Sequence, residues 1–101
     1  MSTSLQISGE ICRIIPTGIF DFSVQDDFRQ IIDETINNKK IKKIIVDMAD
    51  ATFIDSSAIR LLLLLNKKAS VVGKSLTVIN CRSEIREILS IGGFDTILTI
   101  R

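Results

Sequence analysis

Asp55-Ser56-Ser57-Ala58-Ile59-Arg60 sets one carboxylate and two hydroxyls side by side, between a run that reads as a strand and a run that reads as a helix. Hydroxyls and carboxylates at the first turn of a helix accept from its free backbone N–H groups, and a phosphate added there would meet the positive end of the helix dipole. Two readings fit the same atoms, a helix cap and a phosphate acceptor on a surface that a kinase reads. A serine hydroxyl is a weak nucleophile without an activating base, and the chain has no histidine and no suitably placed lysine to serve as one. Any catalytic machinery must then come from elsewhere, and an enzyme is the least expected reading of the chain. No glycine-rich phosphate loop, metal-ligand cluster or acid–base pair argues otherwise, so no cofactor is expected.

The elements that must hold this corner follow from the hydrophobic pattern. Ile41 to Met48 has an unbroken apolar centre, as in a strand covered on both faces in the middle of a sheet. A helix is expected from about Ser56 to Val72, with Gly73 as the residue that ends it. Ahead of these, Ile7 to Pro16 carries β-branched residues around Gly9-Glu10 and reads as two short strands or one bent strand, closed by Pro16-Thr17-Gly18. Val24, Phe28, Ile31, Ile32, Thr35 and Ile36 then recur with helical spacing behind Ser23, a candidate N-cap, with Asp26 and Asp27 in the first turn. After the second helix come a buried strand at Ser75 to Asn80, a short helix capped by Ser83 and ended by Gly92-Gly93, and a last short strand at Ile97 to Ile100. The alternation implies parallel crossovers in an α/β domain with helices packed on a sheet. Leu61 to Leu65 wrap the full circumference of their helix, so either a neighbouring helix covers the extra leucines or they form a patch beside Ser56 that a partner covers.

Length and charge narrow the function classes. The 101 residues, 46% of them hydrophobic, suffice for a single domain with one core. Thirteen Lys and Arg against twelve Asp and Glu leave a net charge of +1, which creates no field for a nucleic-acid backbone or an anionic membrane. The basic run Lys39, Lys40, Lys42, Lys43 is read as a solvated loop and strand edge. Cys12 and Cys81 are far apart and form no Cys-x-x-Cys pair, consistent with two reduced thiols and no metal site. The apolar run Leu61 to Leu65 is too short to cross a bilayer, and Met1-Ser2-Thr3-Ser4 lacks a signal-peptide pattern. A cytoplasmic protein without membrane insertion, monomeric when free, is the expectation.

Three segments carry a resemblance to a known family. Gly18-Ile19-Phe20-Asp21 resembles the Gly-x-x-Asp before the first helix of STAS domains (sulfate transporter and anti-sigma factor antagonist), Ile44-Ile45-Val46-Asp47 their central strand, and Phe53-Ile54-Asp55-Ser56-Ser57 their phosphorylation loop. The likeness spans nearly the whole chain and implies a single STAS-like domain over residues 1–101, with a mixed four- to five-stranded sheet and interspersed helices. In the antagonist members the serine directly after the aspartate is phosphorylated, which points to Ser56. The resemblance further implies an anti-sigma factor with serine kinase activity as partner, a serine phosphatase that reverses the modification, and a docking surface at Asp21, Asp55, Ser57, Ala58, Ile59 and Arg60. Where the family continues Gly-Leu-Gly, this chain has Ala58-Ile59-Arg60. Arg60 either pairs with Asp55 or a phosphate on Ser56, or is simply solvated. The same likeness leaves open a second reading, a constitutive STAS subunit of a transport assembly with no phosphoswitch.

Overall fold

The computed structural model describes residues 2–101, in the order β1 (Ser2–Ser8), β2 (Ile11–Phe20), α1 (Gln25–Asn37), β3 (Lys43–Asp47), β4 (Ala51–Ile54), α2 (Ser56–Val71), β5 (Ser75–Ile79) and α3 (Ser83–Ile91). Short 3-10 turns at Phe22–Val24 and Phe94–Thr96 flank α1 and follow α3. The sheet is mixed and five-stranded, in the order β1-β2-β3-β5, with β4 also paired to β2. β1 lies antiparallel to β2, and the other pairings are parallel. This is the single α/β domain expected from the sequence, a mixed sheet with interspersed helices packed against it.

Gly9-Glu10 forms the hairpin turn between β1 and β2, with Gly9 at φ +58°. β2 does not stop at Pro16. It runs on to Phe20, because its far half has a partner that the sequence pattern did not reveal: β4, of which Ala51, Phe53 and Ile54 pair with Gly18, Ile19 and Phe20. β3 pairs with β2 only as far as Ile14↔Val46, so Pro16 lies where one parallel ladder ends and the next begins. By strand alternation the Pro16 nitrogen faces the same side as that of Gly18, which donates to Asp50 O at 2.8 Å. The missing N–H of proline therefore falls in the gap and costs no ladder hydrogen bond. A register shift follows between Gly18 and Ile19, and Gly18 takes φ +84°, a conformation that favours glycine at a bulge.

The core lies where α1, α2 and α3 cover the inward side chains of the strands. Ile14, Ile44 and Val46 point inward from β2 and β3, and the Phe20 and Phe28 rings meet at 4.9 Å between centroids. α1 buries Phe28, Ile32 and Thr35, with Ile31 and Ile36 packed at its margin, which is the stripe that the spacing predicts. Leu61, Leu62 and Leu65 are buried, and Leu63 and Leu64 pack against the core, so the leucine run leaves no exposed patch beside Ser56. Gly73 sits just past α2 at φ +74°. Both cysteines are free thiols.

Three local expectations need correction. Ser23 is not the cap of α1: Asp21 caps the 3-10 turn that precedes it, and Ser23 is the donor. Arg82 takes the N-cap position of α3, so Ser83 is already helical. The chain end is not a strand but a single parallel bridge, Val78↔Ile100, because a 3-10 turn and the buried Leu98 take up the residues that a strand would need.

Candidate functional site

Phe20 and Ile54 are register partners at the C-terminal ends of β2 and β4, and the next residue on each strand is an aspartate. The sheet thus brings Asp21 and Asp55 together from positions far apart in sequence. Asp55 has extended backbone, φ −117°, and its carboxylate accepts from Ala58 N at 3.0 Å, which makes it the N-cap of α2. Its own N–H donates to Phe20 O at 3.3 Å, which ties the helix start to the end of β2. Asp21 accepts from Ser23 Oγ at 2.5 Å and Ser23 N at 3.0 Å. The Ser23 hydroxyl first, and its N–H second, hold the Asp21 carboxyl below the usual carboxylate range, so it is anionic at neutral pH.

Ser56 is the first residue of α2 and is exposed. Ser57 is half-buried, and Arg60 is exposed one turn along. Ala58 and Ile59 are placed differently: Ala58 is 0% exposed and Ile59 is buried, both within the core cluster. Their side chains anchor the corner from beneath, so the surface of the motif consists of Asp55, Ser56, Ser57 and Arg60. The Ala58 methyl points into the core and adds no bulk to that surface. Hydroxyl exposed, backbone fixed by a cap and a buried anchor: the corner can offer Ser56 to another protein's active site without rearrangement.

Around it lies an apolar collar that sequence reasoning missed. Ile19 and Phe53 are register partners on β2 and β4 and stand outward, 53% and 51% exposed, and Phe22 in the adjoining turn is 69% exposed. The signal was present in the strand alternation, since Phe20 pointing inward forces Ile19 outward. Recognising Phe53 required knowing that β4 exists. Arg29 of α1 is a second residue the pattern did not flag. With Phe22, Gln25, Ser57, Arg60 and Leu61 it lines a cavity of about 140 Å³ between α1 and α2. Ser57 therefore faces a pocket flanked by two guanidinium groups.

A separate polar cluster braces the sheet. Asp47, at the end of β3, accepts from Arg13 Nη2 at 2.6 Å and Nε at 3.1 Å, from Asn80 Nδ2 at 3.1 Å and from Ala49 N at 3.0 Å. Burial pushes its carboxyl upward, but the Ala49 N–H, the Asn80 amide and Arg13 together outweigh burial and hold it below the usual range. Asn80 reaches it from a left-handed backbone, φ +59°. Among the described residues, no three His, Cys, Asp or Glu side chains are grouped to hold a metal ion, and no helix is long and apolar enough to cross a membrane.

Comparison with known proteins agrees with this geometry. The STAS domain profile matches residues 2–101. A STAS-domain containing protein of Pseudomonas aeruginosa is 35% identical over 92 residues, 91% of this chain and 89% of that protein. The phosphorylated form of the Bacillus cell fate determinant SpoIIAA superposes with a TM-score of 0.78 at 20% identity, covering 99% of this chain and 91% of that one. The murine anion transporter Slc26a9 also matches, with a TM-score of 0.77 at 20% identity over 94% of this chain and 16% of the transporter.

Proposed function

The chain belongs to the STAS domain family, and from that premise we propose that it is a phosphorylation-switched binding module of the anti-sigma factor antagonist type. Unphosphorylated, it holds a partner, an anti-sigma factor with serine kinase activity or a similar regulator, against the Asp21, Asp55 and Ser56 surface. Phosphorylation of Ser56 by that kinase releases the partner, and a serine phosphatase resets the switch. The observation that carries this reading is exposed Ser56 at the first residue of α2, directly after Asp55, whose N–H is tied to the end of β2 where Asp21 follows, with Ile19, Phe22 and Phe53 exposed on the same strand ends and adjoining turn.

The physical argument is one of desolvation. A partner that covers the apolar collar must also cover Ser56. A neutral hydroxyl is easily accommodated in such an interface, whereas a phosphoryl group adds about −1.5 to −2 charges beside Asp55 and Asp21. Burying that charge against an apolar or acidic partner surface costs several kcal/mol or more unless it is paired. The partner's ATP and metal ion carry out the transfer, and this chain supplies only the acceptor, so it is not itself an enzyme. Such a pathway operates in the cytoplasm, where ATP is available.

The test is incubation with candidate cognate kinases and ATP, followed by mass mapping, with copurification of wild type, Ser56→Ala and Ser56→Asp from the native cell. Modification at Ser56, and a partner retained by Ser56→Ala but lost by Ser56→Asp, support the switch. Modification at Ser57 alone, or identical partners for both variants, overturns it. The likeness to a transporter's STAS portion favours one alternative, a constitutive subunit of a transport assembly. In that case Ser56→Asp assembles as the wild type does.

A further inference from the structure

The chain has seven lysines, Lys39 and Lys40, Lys42 and Lys43, Lys67 and Lys68, and Lys74, and the fold gathers all of them at one pole. They occupy the connection from α1 to β3, the start of β3, the last turns of α2 and the turn into β5. Ser56 begins the same α2 helix, and Lys67 and Lys68 lie in its last turns, roughly 17 Å along its axis at about 1.5 Å per residue. A net charge of +1 therefore conceals a gathering of lysines at one end, where Glu10, whose carbonyl accepts from Lys42 N and Lys43 N, and Asp33 are nearby carboxylate-bearing residues.

Two cavities open at this pole, of about 300 Å³ and about 430 Å³, and they share Ile36 and Val72 as a common wall. Lys39, Lys42 and Lys74 line the first, Lys67 and Lys68 the second, and no carboxylate lines either. The floor is apolar, from Ile36, Ile41 and Leu64, and Val71 projects at the rim with 79% of its surface exposed. Among the described residues the one carboxylate paired with a lysine is Asp33, which meets Lys68 at 3.4 Å in the open. Lys74, half-buried at the groove, donates to Thr35 O in the last turn of α1 at 2.9 Å and to Asn38 O at its C-cap at 2.6 Å. Burial, and then the charge of Lys42, push its ammonium below the usual lysine range, in keeping with crowded positive charge.

We propose that this lysine-rimmed apolar groove is a second docking site, for an acidic amphipathic helical segment of a partner protein. The apolar floor would receive the hydrophobic stripe of such a helix, and the lysines would meet the carboxylates flanking it. The concave shape suits a helix better than a flat bilayer, and the apolar floor is unsuited to a phosphate backbone. The site goes beyond the Ser56 switch and does not depend on it. A protein with both surfaces holds one ligand under phosphorylation control while the other stays bound at the far pole.

The test uses fluorescence anisotropy with three synthetic helical peptides of equal length: leucine stripe with glutamates, leucine stripe with lysines, and alanine stripe with glutamates. The expected result is saturable binding of the leucine–glutamate peptide alone, weakened about tenfold or more by Lys67→Glu/Lys68→Glu. Val71→Ser weakens it several-fold even at high salt, while Ser56→Asp binds as the wild type does. A second pair in the loop, Lys39→Glu/Lys42→Glu, gives the same loss, and circular dichroism of both double variants checks that the fold is retained. Equal binding of the alanine and leucine peptides, no binding at all, or tighter binding of phosphatidylglycerol vesicles or a single-stranded oligonucleotide would overturn the proposal.

Discussion

Asn80 donates its side-chain amide to Asp47 Oδ1 at 3.1 Å from a backbone with φ +59°, joining the residue after β5 to the end of β3. Arg13 holds the other oxygen of the same carboxylate from β2. Three neighbouring strands are thus fastened together toward the end of the sheet where the Ser56 corner lies, although none of the three residues is hydrogen-bonded to that corner.

Asp47→Asn removes a charge-assisted pair with Arg13 and weakens two further bonds, and is expected to cost about 2 kcal/mol at neutral pH. The sign of the pH dependence follows from the depressed native pKa. The contribution is fully present above the ordinary carboxylate value of 3.8 and is lost as pH falls through the lower native value. Urea denaturation from about pH 6 to pH 3 should therefore show wild type losing more stability than Asp47→Asn as acid is added. Parallel curves would refute the assignment.

Asn80 should distinguish backbone strain from hydrogen bonding. Asn80→Gly relieves the left-handed conformation and loses only the bond to Asp47, whereas Asn80→Ala loses the bond and keeps the strain. Thermal melts are expected to place the alanine variant about 1 kcal/mol below the glycine variant.

Asp55→Ala leaves the Ala58 N–H of α2 without its cap and should cost about 1 kcal/mol. Asp55→Ser restores most of that stability, because a serine oxygen can also cap. If the Asp55 charge contributes to docking as well, the serine variant will recover the melting temperature without recovering partner affinity.

Ile19→Ser and Phe53→Ser replace side chains that are already about half in water, so unfolding free energy is expected to change by less than about 1 kcal/mol. Partner binding should fall about tenfold or more for Phe53→Ser, as for an aromatic anchor at an interface centre. Calorimetric titration against the copurified partner provides the measurement, with loss of stability and unchanged affinity as the contrary result.

The sequence made α1, β3, α2 and β5 legible because each carries a long periodic or unbroken apolar pattern. The start of α2 was legible too, since a carboxylate and hydroxyls ahead of a leucine run are the residues that cap a helix, and Asp55 does so. β4 was not, because its four residues show no alternation of their own, Ala51 and Ile54 being buried with Thr52 and Phe53 exposed between them. With β4 hidden, so was the apolar collar, whose outward positions depend on the β2 and β4 register. The lysine pole was invisible for a related reason: Lys67, Lys68 and Lys74 join Lys39 and Lys42 only once α2 has crossed the molecule. Composition counts charges, and only folding sorts them.

The handover at Pro16 makes the sheet a perforated one. β4 and the turn after it hang from the far half of β2 by a short ladder of their own, while β3 is stitched into the near half and carries β5 on its other edge. Amide protons of β4 should consequently exchange with solvent sooner than those of β3, while the start of α2, anchored in the core by Ala58 and Ile59, stays shut with the rest of the domain.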